Sequence, residues 1–208
     1  MTPLNLIKSS RRQLCTLALF ALVGAAHAAT RQAPDAFIQK LGDVLMSRVQ
    51  ADPALASGNV EKIKALVDEL VIPNMAFERM TASTVGPAWR QATPEQRAAL
   101  QQEFKVLLVR TYAGAVKHIA GKNLVVLPVR MAPTDTDVAV KSEIRSSSAD
   151  PVPLGYRLTA EGDHWVIYDV NVVGIWLVET YRTQFAGLIR QKGLDGLIAG
   201  LRQLNQGA

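Results

Sequence analysis

Few residues of this chain have the type and spacing that metal chemistry needs. His118 and His164 lie far apart in the sequence, and neither has a cysteine or a second histidine at metal-ligand spacing. A zinc site takes about four close ligands. The sequence therefore predicts no metal and no cofactor, and it favours two histidines near the protein surface.

The glycines do not form a nucleotide-binding motif either. Six residues separate Gly114 from Gly121-Lys122, and Asn123 stands where a phosphate-binding loop has a hydroxyl. The Gly193, Gly196 and Gly200 spacing is not that of a dinucleotide fingerprint, and the chain has no Gly-x-Ser-x-Gly elbow. Without these motifs we predict that the protein is not an enzyme.

Asp169 is the one candidate acid or base. Strict alternation would put its side chain on the same face of a strand as Trp165 and Ile167. Burial among apolar groups raises the pKa of a carboxyl and makes it a possible base, so an isomerase-like enzyme using Asp169 is one alternative. A structural or edge-paired aspartate, or one that contacts a partner, is the more ordinary interpretation.

The first 28 residues have the pattern of a secretory signal. Lys8, Arg11 and Arg12 are followed by an apolar run from Leu14 to Ala26, and Ala26-His27-Ala28 is a small-x-small cleavage pattern. We predict a signal peptide over 1–28 with cleavage near Ala28, and a single domain over 29–208. Whether export uses the general or the twin-arginine route stays open.

Composition and charge limit the class of protein. The chain has 208 residues, of which 49% are hydrophobic and 20% charged, as in one globular domain. Removing 1–28 takes away three of the 23 basic residues and none of the 18 acidic ones, so the formal charge falls from +5 to +2. The only cysteine is lost with them. We therefore predict no nucleic-acid partner and no disulfide.

Residues 34–120 have the periodicity of helices. One begins at Pro34 with Val44 among its inward positions, and Asn59 caps another with Val60 inward. Thr93 and Gln96 form a capping-box pattern at the start of a long helix that continues to about Ile119.

After Gly121 the spacing of the apolar residues changes from about 3.6 residues, as in a helix, to 2, as in a strand. We predict four antiparallel strands within 123–173, over 124–130, 138–144, 154–158 and 165–173. Helices follow again over 175–205 after Gly174, and the last, short helix begins at Gly193-Leu194-Asp195-Gly196. The fold class is α+β: a curved antiparallel sheet of four or slightly more strands, wrapped by N-terminal and C-terminal helices and enclosing an apolar cavity.

Three segments carry a resemblance to a known family. They are the run from Trp89 to Arg97, the strand from Trp165 to Val170 with Gly174 after it, and the ending from Gly193 to Leu197. Together with the export signal they resemble the MlaC or toluene-tolerance family of periplasmic phospholipid-binding proteins, over about 37–205. The chain departs from the family pattern at Trp176, where a smaller polar residue is expected.

The resemblance implies a periplasmic phospholipid carrier that maintains the lipid asymmetry of the outer membrane. The implied partners are an inner-membrane ABC transporter complex with a periplasmic substrate-binding ring and an outer-membrane lipoprotein–porin complex. Related carriers occur in hopanoid-making bacteria, so carriage of a different lipid, such as a hopanoid, is another alternative. A third is an adaptor whose own side chains fill the cavity.

A carrier must bury acyl chains, because exposing roughly 30 methylenes to water at about 0.8 kcal/mol each is prohibitive. The apolar positions of the long helix, the inward faces of the strands and three aromatic residues that could close the pocket are the predicted lipid contacts, although each is also a possible core residue. They are Val106, Leu107, Val109, Tyr112, Val116, Val125, Leu127, Val138, Val140, Tyr156, Leu158, Ile167, Val170, Trp176, Tyr181 and Phe185.

Overall fold

A computed structural model describes residues 31–132, 134–147 and 149–207 of the chain. The predicted signal peptide lies outside these residues. The longer elements are helices α1 (Pro34–Ala51), α2 (Pro53–Ala56), α3 (Val60–Leu66), α4 (Phe77–Val85), α5 (Pro94–Ala113) and α6 (Leu177–Gln206) and strands β1 (Asn123–Val126), β2 (Asp137–Arg145), β3 (Val152–Glu161), β4 (His164–Val172) and β5 (Ile175–Trp176). The helix, sheet, helix order confirms the predicted α+β class.

The five strands form one open antiparallel sheet in the order β1-β2-β3-β4-β5. Cα pairing places Val140 opposite Tyr156 and Tyr156 opposite Val170. Since paired residues share a face, these residues belong to the face that packs against the helices, which we call the inner face.

A β-bulge in β4 changes the predicted alternation. Leu158 pairs with Ile167, but the preceding Arg157 pairs with Asp169, so Tyr168 is the extra residue. Beyond it Val170 joins Ile167 on the inner face, whereas Asp169 moves to the outer face. The prediction that Asp169 shares a face with Trp165 and Ile167 is therefore wrong, because one inserted residue inverts the side-chain parity.

Both ends of the sheet differ from the prediction. The first strand is only four residues long, and its Val126 pairs with Ser142 on the inner face. At the other end Gly174, with φ 86°, lies in a turn that leads back into β5, so the sheet does not end there. A positive φ suits glycine, and a two-residue strand has no periodicity that a sequence could reveal.

The predicted caps are present, but the long helix is shorter than expected. The Thr93 side chain accepts from the Gln96 N–H, the Gln96 side chain accepts from the Thr93 N–H, and Asn59 caps α3 through the Lys62 N–H. Helix α5 ends at Ala113, and Gly114–His118 continues as a 3-10 helix. The predicted extension to Ile119 was wrong because glycine, with its low helix propensity, stands where the geometry changes.

In the part of the chain that the structure describes, the core consists of three clusters. One joins α4, α5 and α6 around Phe104, whose ring centroid is 5.1 Å from that of Tyr181 and 5.5 Å from that of Phe185. A second joins α1, α2, α3 and α5 around Ile63. The third joins α1 to the inner face of the sheet around Leu158. The helices thus leave space between α5 and the sheet.

Two predicted inward positions are exposed. Val44 lies about 240° around α1 from the buried Ile38, at about 100° per residue, so it cannot face the sheet. Val60 is the first residue of α3, where Ile63 and Leu66 supply the buried contacts instead.

Helix α6 is interrupted at Gly193, whose φ of 67° and ψ of -170° are not helical. This confirms the predicted division of the C-terminal helical segment. Within the described ranges, no helix combines the length and hydropathy that crossing a membrane would require.

Candidate binding cavity

A cavity of about 340 Å³ lies between the inner face of the sheet and the helices of the N-terminal half. Its wall comes from α3, the segment 67–75, α4, α5 and its 3-10 extension, strands β2 to β4, and the start of α6. The lining residues are Ile63, Val67, Val71, Ile72, Met75, Phe77, Met80, Lys105, Leu108, Val109, Tyr112, Ala113, Ala115, Val116, Ile119, Ile144, Leu154, Val170, Val172 and Leu177.

The wall is almost wholly apolar. Lys105 and Tyr112 are the lining residues whose side chains carry a nitrogen or oxygen atom. Burial, with a smaller contribution from Tyr181, raises the pKa of Tyr112, so its hydroxyl stays neutral at physiological pH. Such a wall favours a hydrocarbon ligand and offers little to a polar one.

One part of the wall is not a regular α-helix. The chain forms a π-helix over Val67–Val71 and a 3-10 turn over Ile72–Asn74, and none of these residues is fully buried. Its apolar side chains pack against the core clusters, and its ion pairs to neighbouring helices are Lys105–Asp68 at 2.7 Å, Arg48–Glu69 at 2.7 Å and Lys64–Asp68 at 3.9 Å. Exposed pairs of this kind contribute at most about 1 kcal/mol each. We call 67–74 the side wall.

The structure places four of the predicted contact residues in this cavity: Val109, Tyr112, Val116 and Val170. Of the other two on α5, Leu107 packs against the cluster of α4, α5 and α6, and Val106 is half-buried outside the cavity wall. The difference follows from helix geometry, because 109, 112 and 116 are spaced by three and four residues and share one stripe.

Five predicted sheet residues lie on the inner face but under α1, away from the cavity. Val140, Leu158 and Ile167 belong to the cluster around Ile38, and Val138 and Tyr156 pack against it. Because α1 covers that end of the sheet, these side chains pack against other protein side chains and do not line the cavity.

Two further predicted residues, one in β1 and one just after it, do not lie on the inner face. Val125 pairs with Glu143, and the Leu127 N–H donates to the Lys141 carbonyl at 2.8 Å, opposite another outer-face residue. Both therefore lie on the outer face, where neither can reach the cavity. Sequence alone did not reveal this because a short run of consecutive apolar residues has no preferred parity.

The three aromatic residues do not close the cavity. Tyr181 and Phe185 are buried with Phe104 in the core of α4, α5 and α6. Trp176 lies on the outer face, where the Arg157 Cζ is 4.0 Å from the centroid of its ring. Trp176 therefore does not narrow the cavity.

Most of the lining residues on the strands and in the segment 67–75 were not predicted from the sequence. Ile144, Leu154 and Val172 continue the inner-face alternation and could have been included on that ground. Val67, Val71 and Ile72 could not, because their apolar spacing resembles an ordinary helix and does not reveal the π-helical turn.

Asp169, the candidate base, is engaged elsewhere. Its carboxylate accepts from the N–H groups of Val170 at 2.9 Å and Val178 at 3.0 Å, and from Arg157 Nη1 at 2.9 Å. It lies on the outer face, so it does not point into the cavity. Across the described ranges, no group of three or more His, Cys, Asp or Glu side chains could hold a metal ion.

Comparison with known proteins gives consistent results. The intermembrane phospholipid transport system binding protein MlaC of Haemophilus influenzae is 20% identical over 91% of this chain and 90% of its own length. The toluene tolerance protein ttg2D of Pseudomonas putida is 25% identical over 89% of this chain and 84% of its own length.

A solved structure resembles the whole fold. It is a phospholipid-binding protein from Ralstonia solanacearum in complex with a phospholipid, with a TM-score of 0.79 and 38% sequence identity over 83% of this chain and 97% of that one. The profile of the MlaC protein family matches residues 39–203. The chain belongs to the MlaC family.

Proposed function

We propose that this protein binds a phospholipid in the cavity between α5 and the inner face of the sheet. The observation that carries the proposal is the wall itself, in which all side chains except Lys105 and Tyr112 are hydrocarbon or methionine. The similar Ralstonia solanacearum structure, which holds a phospholipid, supports the same ligand class.

The cavity must widen to take such a lipid. A volume of 340 Å³ is near the lower end of the roughly 300–1,000 Å³ typical of small-molecule sites, and a diacyl lipid is larger than a small molecule. The side wall is the part best suited to move, because it is an irregular π-helical and 3-10 segment in which no residue is fully buried. We infer that displacement of 67–74 admits the acyl chains.

We further propose that the protein carries phospholipid through the periplasm, between an outer-membrane lipoprotein–porin complex and an inner-membrane ABC transporter with its substrate-binding ring. Family membership and the name of the Haemophilus influenzae relative support a transport role. Burial of the chains supplies the physical reason, since roughly 30 methylenes exposed to water cost on the order of 20 kcal/mol.

Native mass spectrometry of the mature protein purified from a Gram-negative periplasm tests the proposal, followed by organic extraction of the bound material. The expected result is a stoichiometric adduct that extracts as phospholipid. A hopanoid adduct would change the ligand class. An empty protein, under conditions in which a known carrier stays loaded, would favour the adaptor interpretation.

The same spectrum tests export. We propose that residues 1–28 are removed, so the measured mass should equal that of 29–208 plus the adduct. A mass for the full chain in the periplasmic fraction would contradict cleavage near Ala28.

An isomerase-like enzyme has less support. The one candidate carboxylate, Asp169, is 1% exposed and accepts three hydrogen bonds on the sheet face opposite the cavity. Its position favours a structural role.

A further inference from the structure

The cavity stripe of α5 begins with a charged residue. Lys105, Val109, Tyr112 and Val116 follow one another at intervals of three and four residues, and they line the cavity together with Leu108. Lys105 is the only lining residue within the described ranges that carries a charge. A single charge at the end of an otherwise apolar stripe marks the boundary between the hydrocarbon and the aqueous part of the site.

The side chain of Lys105 spans that boundary. Lys105 lines the cavity, and its side chain is 20% exposed. Its ammonium Nζ lies 2.7 Å from Oδ1 of Asp68, whose side chain is 39% exposed. The residue therefore adjoins the apolar cavity while its charge meets a partly exposed carboxylate of the side wall.

The local charge is not balanced. The Asp68 carboxylate also meets a second ammonium, because Lys64 Nζ lies 3.9 Å from its Oδ2. Two lysines thus share one carboxylate, which leaves an excess of one positive charge. The neighbouring Arg48–Glu69 pair is neutral as a whole and does not change this balance.

A phosphodiester fits this excess in charge and in chemistry. It carries one negative charge, and its oxygens accept hydrogen bonds from an ammonium as a carboxylate does. If Lys105 turned from Asp68 to a phosphate, Asp68 would keep Lys64 as its partner, so no carboxylate would be left without a cation. The exchange also removes one of the three ion pairs between the side wall and its neighbouring helices.

We propose that Lys105 binds the phosphate of the lipid headgroup, in exchange for Asp68, while the acyl chains occupy the cavity. The inference rests on the proposed function and adds a specificity to it. The site selects diacyl lipids with an anionic phosphodiester over uncharged diacylglycerol with the same chains.

A competition experiment with variants tests this role. Mature protein is offered equal amounts of detergent-solubilised phosphatidylglycerol and diacylglycerol with identical chains, and the bound ratio is read by native mass spectrometry. Lys105→Met keeps a stem of similar length and removes the charge. Lys62→Met is the matched control, since it removes a lysine of α3 that pairs with Asp52, not with Asp68, and that does not line the cavity.

The wild-type protein and Lys62→Met should prefer phosphatidylglycerol by about tenfold or more, the effect of one hydrogen bond between charged groups. Lys105→Met should lose most of that preference yet still bind diacylglycerol, which also shows that the variant is folded. Lys105→Arg should retain the preference, because it keeps a positive charge at position 105.

The remaining outcomes separate this inference from the proposed function. Equal binding of both lipids by the wild-type protein, or an unchanged preference in Lys105→Met, would overturn the role of Lys105 and leave lipid binding intact. If the wild-type protein bound neither lipid, both the role of Lys105 and the proposed function would be overturned. Excess inorganic phosphate should not alter the bound ratio; a preference abolished by inorganic phosphate would assign Lys105 to a free ion and overturn its role toward the headgroup.

Discussion

The Asp169 carboxylate accepts a hydrogen bond from the backbone N–H of Val178 at 3.0 Å. Val178 is the second residue of α6, and the first N–H groups of a helix have no partner within the helix. A side chain of β4 therefore caps a helix that begins after the next strand. This bond and the one from Arg157 fix the junction where the sheet passes into the C-terminal helix.

Loss of this carboxylate should destabilise the protein. We expect Asp169→Ala to lower the free energy of unfolding by about 2 to 3 kcal/mol, because two backbone N–H groups and Arg157 lose their acceptor in a buried site. Urea unfolding followed by circular dichroism measures the change. The control is Asp163→Ala, an exposed turn residue, which should be near neutral; equal losses in the two variants would contradict the capping role.

The pH dependence of stability should also report Asp169. Burial is the largest influence and raises the pKa of Asp169 above the ordinary 3.8, although the N–H of Val178 and Arg157 partly offset it. The folded protein therefore holds this proton more tightly than the unfolded chain. The contribution of Asp169 is most favourable below the ordinary pKa and declines as pH rises through the folded pKa.

Unfolding free energies of wild-type protein and Asp169→Asn, measured from about pH 3 to about pH 6, test this direction. The wild-type value should decline relative to that of the variant as pH rises through this range, since asparagine does not titrate. A wild-type value that rises relative to the variant would mean that the hydrogen-bond donors outweigh burial.

Filling the cavity should prevent lipid binding. Val116 lines the cavity and is half-buried, so Val116→Trp should reduce the lipid recovered with the purified protein by at least about tenfold while the fold persists. Val106→Trp is the matched control, because Val106 is half-buried on α5 outside the cavity wall. Lipid loss in Val106→Trp with retention in Val116→Trp would place the site elsewhere on α5.

The aromatic core should dominate the stability of the helical layer. Phe104 is fully buried and packs edge-on against Tyr181 and Phe185. Phe104→Ala should cost about 3 to 5 kcal/mol of unfolding free energy, from lost burial and the void that remains. Phe37→Ala, at a half-buried position on α1, should cost less in the same urea titration; a comparable loss would contradict the central place of Phe104.

The elements with strong local signals were predictable from the sequence. The capping box at Thr93 and the helix cap at Asn59 depend on residues three positions apart, and the break at Gly193 depends on one residue. The alternation of Val138, Val140, Ser142 and Ile144 likewise identified an inner face, because strand periodicity is a property of consecutive residues.

Tertiary structure decided what occupies that inner face. Val140 and Val170 lie on the same face of the sheet, yet α1 covers Val140 whereas Val170 lines the cavity. The bulge at Tyr168 and the register of β1 determined which side Asp169 and Val125 face. These outcomes depend on pairing between strands and on where a distant helix lies, and local residue order carries neither. The sequence thus determined the longer elements, their order and the family, but not β5 or the π-helical turn, and packing determined which apolar residues became core and which line the cavity.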